Sequence, residues 1–119
     1  MGVQILPGPL SKMIKVQFEF DVPEDKMQVF LKHIPTLKKT WESLGCKSYS
    51  AYRSINQKLR KDQIIEKNKI TEDIVFESLD DINKFFAAAK ADSKFRAMAE
   101  SYEKLFGATN IKSKILESV

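Results

Sequence analysis

Leu44-Gly45-Cys46-Lys47-Ser48-Tyr49-Ser50-Ala51-Tyr52-Arg53-Ser54, answered downstream by Val75-Phe76-Glu77-Ser78-Leu79-Asp80-Asp81, decides the fold. Gly45 suits the left-handed position just past a helix end. The residues after it alternate as a strand does, Tyr49, Ala51 and Arg53 on one side and Ser48, Ser50 and Tyr52 on the other. In the second stretch a strand runs out at Phe76-Glu77, and Ser78 stands three residues before Asp81, the spacing of a capping box that opens a helix.

Upstream, Ile14, Val16, Phe18 and Phe20 alternate with Lys15, Gln17, Glu19 and Asp21, which predicts a strand over 14–21. Pro23 with Glu24 and Asp25 then starts a helix, fixing φ and complementing the positive end of its dipole. Its apolar stripe, Met27, Phe30, Leu31, Ile34, Leu37, Trp41 and Leu44, carries it to Gly45, with a kink expected at Pro35. A third strand is expected over about 70–77. The stripe that follows, from Ile82 to Phe106, loses phase near Ala91-Asp92-Ser93-Lys94, so a break or two stacked helices is expected there. Gly107 ends it, and a last strand covers 110–117. The order βαββαβ is that of an α+β, ferredoxin-like sandwich, in which an antiparallel four-stranded sheet carries its helices on one face. Residues 1–12 are read as an extended arm and 13–119 as one domain. Residues 57–69, with Lys58, Arg60, Lys61, Lys67 and Lys69, read as a solvated hairpin extension.

At 119 residues the chain suits a single core. Its 43% hydrophobic and 30% charged residues are those of a globular domain, and no apolar run approaches the roughly 20 residues a membrane helix needs. The opening residues have no basic n-region, so the expectation is a cytoplasmic protein. One cysteine, Cys46, excludes an intrachain disulfide, and one histidine, His33, makes a zinc site a poor fit. Residues 1–69 hold 13 Lys/Arg against 7 Asp/Glu, and residues 70–119 hold 7 against 9. That excess is too small and too scattered to favour nucleic acid. An RNA recognition motif would need stacking aromatics on strand 3, where Thr71 and Asp73 stand.

Gly45-Cys46, Tyr49 and Tyr52-Arg53-Ser54, Phe76-Glu77-Ser78-Leu79 and Ser93-Lys94-Phe95-Arg96 together resemble the antibiotic biosynthesis monooxygenase-like family of dimeric α+β barrels, over roughly residues 13 to 117. The resemblance implies a homodimer with a small organic ligand and no metal or cofactor. If it is an enzyme, the implied activity is oxidation of an aromatic or enol substrate; the alternative is a noncatalytic, stress-associated or interaction protein of the same fold. Phe76 stands where oxygenases of the family commonly have a Trp, and no histidine lies near Phe85 and Phe86, where haem-degrading members ligate iron. The candidate ligand-binding residues are Gln17, Tyr49, Tyr52, Arg53, Asp73 and Phe76. A Tyr hydroxyl or a guanidinium on a strand can orient an oxygenated molecule, and the polar sheet face of Lys15, Gln17, Glu19 and Asp73 is expected to line a cavity or an interface. His33, at the edge of its helical stripe, is expected to be structural.

Overall fold

Alternation at period two puts one side of β1 (Ile14–Asp21) in the core and the other toward solvent, and β1 accordingly takes a central place in the sheet. In the computed structural model, which describes residues 13–119, β1 pairs antiparallel with β3 (Lys69–Phe76) on one side and β4 (Thr109–Glu117) on the other. β2 (Ser48–Arg53) pairs with the free edge of β3, giving the order β2-β3-β1-β4. Three helices, α1 (Glu24–Ser43), α2 (Leu79–Ala91) and α3 (Ser93–Lys104), complete a βαββααβ chain.

Local signals account for the helix boundaries. Glu24 and Asp25 occupy the first turn of α1, which continues unbroken through Pro35, and Gly45 follows its end at φ +101°. The Ser78 hydroxyl accepts from the Asp81 amide at 3.1 Å and caps α2. The phase slip seen in the sequence is resolved at Asp92, which ends α2 and whose carboxylate accepts from the Phe95 amide at 2.8 Å to cap α3. Gly107 adopts φ +65°, and a Cβ there would stand 3.3 Å from ring carbons of Pro23, so both conformation and space call for glycine.

The helices cover one face of the sheet. Phe20, Phe30, Ile70, Ile74, Phe76 and Phe106 are the largest apolar side chains fully enclosed between the layers. Coverage stops short of β4, whose Ile111 and Ile115 remain about half exposed. The connection between β2 and β3 differs from the expected hairpin extension: no strand forms between Ser54 and Asn68, and the segment makes exposed turns with Leu59 and Ile64 protruding. Its run of charged and amide side chains offers no alternating apolar face to pair. Its base is closed by Ser54 N–H to the Lys69 carbonyl and Val22 N–H to the Asn68 carbonyl, each 3.0 Å. The arm at 1–12 lies outside the described residues.

Candidate functional site

On β3 the alternation Ile70, Glu72, Ile74, Phe76 points four side chains at the helices, and one of them is a carboxylate. Glu72 sits opposite Phe18 on β1 and Ala51 on β2, in the middle of the inner face, and is 1% exposed. Removing a carboxylate from water costs several kcal/mol unless donors replace the hydration. Two phenols do so: the Tyr49 hydroxyl donates to Oε2 at 2.5 Å and the Tyr102 hydroxyl donates to the same oxygen at 2.7 Å. The indole of Trp41 in turn donates to the Tyr102 hydroxyl at 3.1 Å. The chain Trp41–Tyr102–Glu72–Tyr49 therefore ties α1, α3, β3 and β2 together. No described residue forms a salt bridge with Glu72 or donates a hydrogen bond to Oε1. Burial outweighs the two donors and pushes the Glu72 carboxyl up to about 7. Burial, together with the adjacent carboxylate, also holds both phenols well above the usual tyrosine range.

Trp41 organises the aromatic surroundings. Its ring stacks near-parallel on Phe85 at 5.7 Å and on Tyr49 at 6.3 Å, and meets Phe95 edge-on at 4.9 Å. Beside it, between the sheet and the helices, lies a cavity of about 250 Å³ walled by Phe18, Phe20, Phe86, Phe95, Met98 and Ile111. Among the described residues, Glu72, Tyr102 and Trp41 are the only lining residues with side-chain nitrogen or oxygen. An apolar protein cavity of about 150 Å³ is enough to hold benzene, so this one has room for one ring or two fused rings.

The residues singled out from sequence fall on two sides of the sheet. Tyr49 faces the helices, is buried and contacts Glu72. Phe76 is buried on the same side and meets Phe85 edge-on at 5.2 Å. Gln17 and Asp73 are on the opposite face, where Asp73 accepts from Gln17 Nε2 at 2.9 Å and from Lys15 Nζ at 3.0 Å. Tyr52 is more than half exposed on that face, and Arg53 is exposed at the end of β2. The six are thus not brought into one site. Sequence reasoning misses Glu72, although an acidic residue in step with Ile70, Ile74 and Phe76 is the available signal; Trp41 and Tyr102 lie on apolar helical stripes, which by themselves point only to the core.

The remaining candidates have structural partners. His33 Nδ1 lies 2.8 Å from the Val29 carbonyl, and its ring packs edge-on to Phe106. Burial raises the Cys46 thiol to about 11, the opposite of what a nucleophile needs. Among the described residues no group of three or more His, Cys, Asp or Glu could hold a metal ion, and no helix is long and apolar enough to cross a membrane. The outer faces of β1 and β3 carry Lys15, Gln17, Glu19, Thr71 and Asp73, with no aromatic on which a base could stack.

A scan against protein-family models gives no match, and neither does a search of curated proteins. Solved structures do match. A conserved protein of Bacteroides thetaiotaomicron, described as a possible oxidoreductase, aligns with a TM-score of 0.64 at 13% identity, over 90% of this chain and 98% of its own. A candidate antibiotic biosynthesis monooxygenase of Nitrosomonas europaea aligns with a TM-score of 0.65 at 10% identity, over 90% of each chain. A NIPSNAP family protein of Agrobacterium tumefaciens aligns with a TM-score of 0.59 at 17% identity, over 90% of this chain and 86% of its own. The chain is similar to all three in fold, an α+β, ferredoxin-like arrangement with a four-stranded antiparallel sheet.

Proposed function

We propose that this cytoplasmic protein binds a small aromatic molecule of one or two rings in the cavity between sheet and helices, and that it does so as a homodimer. The observation that carries this reading is a single buried carboxylate set in an otherwise apolar, aromatic-walled cavity of about 250 Å³. Small-ligand sites are built this way, apolar surface supplying affinity and a few placed polar groups supplying orientation. Tyr49 belongs to the site through Glu72, and Phe76 supports it by packing on Phe85. The polar face bearing Gln17, Asp73 and Tyr52 is assigned to the meeting of two sheets, where its hydrogen-bonded side chains can line a wet barrel interior. The enzymatic form of the reading is metal-free oxidation of an activated aromatic or enol. Its support is that two of the matched structures are described as a candidate monooxygenase and a possible oxidoreductase.

Trp41 is the only tryptophan and lines the cavity, so it reports occupancy directly. Titration with naphthalene should change its fluorescence saturably, and a linear or absent response would reject the binding site. Light scattering at micromolar concentration should give twice the 13.7 kDa chain mass. Oxygen uptake with a dihydroxynaphthalene, corrected for spontaneous oxidation, separates an oxygenase from a noncatalytic binder.

A further inference from the structure

The two oxygens of Glu72 are not equivalent. Both tyrosine hydroxyls donate to Oε2, whereas Oε1 receives no hydrogen bond from any described residue, and the side chain lines the cavity while being almost wholly buried. A buried acceptor without a donor is costly, and the cost falls when a ligand brings the donor. Tyr49 from β2 and Tyr102 from α3 donate to the carboxylate, Phe18 of β1 stands opposite it, and Trp41 from α1, Phe20 from β1 and Phe86 from α2 share the cavity with it. None of these is cationic, so the described residues of the cavity have nothing to neutralise a ligand's own negative charge.

Resting on the reading of this cavity as a ligand site, we infer that Oε1 of Glu72 is the docking point for the ligand's single hydrogen-bond donor. The ligands selected are then neutral aromatics bearing a hydroxyl, and aromatic carboxylates are turned away. Tyr49 and Tyr102 act as positioning residues: by donating to Oε2 they hold the carboxylate and leave Oε1 without a protein donor. The phenol keeps its proton and donates it to a carboxylate, a charge-assisted bond stronger than one between neutral partners.

Three naphthalenes of one shape test this by Trp41 fluorescence: 2-naphthol, 2-methylnaphthalene and 2-naphthoate. At pH 8 the wild-type protein should bind 2-naphthol at least about tenfold more tightly than 2-methylnaphthalene, and 2-naphthoate most weakly. Glu72→Gln keeps the shape but ends the charge. It should narrow the preference for 2-naphthol over 2-methylnaphthalene, because a neutral amide gives up the charge-assisted bond, and improve 2-naphthoate, because the amide can donate. Should that variant fail to fold, wild-type protein alone decides. As pH falls from 8 to 5.5, 2-naphthol should weaken while 2-methylnaphthalene tightens, since an apolar occupant favours the protonated carboxyl. Tyr49→Phe should move the crossing of those two curves to higher pH by removing one donor to the carboxylate. Equal affinities of 2-naphthol and 2-methylnaphthalene at pH 8, or parallel pH profiles, would overturn the role of Glu72 and leave the binding cavity standing. Failure of all three to bind would overturn the cavity itself.

Discussion

Glu72→Gln should remove about 3 kcal/mol of pH dependence from folding stability between pH 4.5 and pH 8. In the folded protein the Glu72 carboxyl titrates at about 7, against an ordinary value of 4.5, because burial disfavours its charge. Between those values the folded state holds a proton that the unfolded chain has released. The stabilisation linked to that proton is complete below about pH 4.5 and is lost as pH rises through about 7. At about 1.4 kcal/mol per pH unit the gap amounts to about 3 kcal/mol. Urea unfolding of both proteins at pH 4.5, 6 and 8 isolates the effect, since every other titrating group is common to them. The variant should gain on the wild type steadily as pH rises. Parallel stability curves would show that Glu72 is hydrated in the folded state and would contradict its burial.

Trp41→Ala should be the most damaging single truncation at the site, costing about 3–5 kcal/mol. Trp41 is 4% exposed, and its indole stacks on Phe85 and on Tyr49, meets Phe95 edge-on and donates to Tyr102. Its removal opens a void continuous with the existing cavity and takes a donor from the hydroxyl that helps hold Glu72. Since a domain of this size is stable by only about 5–15 kcal/mol, the loss would be plain in a thermal or denaturant melt at neutral pH. Trp41→Phe, which keeps a ring but not the N–H, should cost distinctly less. A loss below about 1 kcal/mol for the alanine variant would contradict the central position given to Trp41.

The element order was legible because each element carries a signal local in the chain. β1 shows eight alternating residues, Gly45 and Gly107 follow helix ends in left-handed conformations, and Ser78 and Asp92 supply the caps. The site was less legible because it is made by register. Tyr49, Glu72 and Tyr102 are brought together by strand pairing and by the docking of α3, and nothing in their separate neighbourhoods states that they meet. Tyr49 was reached through its strand, but with Tyr52 and Arg53 as companions, when the pleat sends Tyr52 to the opposite face. The attraction of the polar face was its chemistry: Lys15, Gln17 and Asp73 look like ligands' partners, yet they satisfy one another at 2.9–3.0 Å. Glu72 was the one anomaly that the pattern did contain, an acidic residue in a row of buried apolar positions, and buried polar residues carry more information than exposed ones.

The most direct test of the account is where an aromatic ligand sits. Of the four methionines, Met98 lines the cavity, Met27 is buried elsewhere in the core, and Met13 borders the sheet beside Lys15 and Leu116. With ¹³C-labelled methionine methyls, saturating naphthalene should move the Met98 resonance strongly through the ring current and leave Met27 and Met13 nearly unmoved. A shift confined to Met13, or none at Met98 under saturating ligand, would contradict the account.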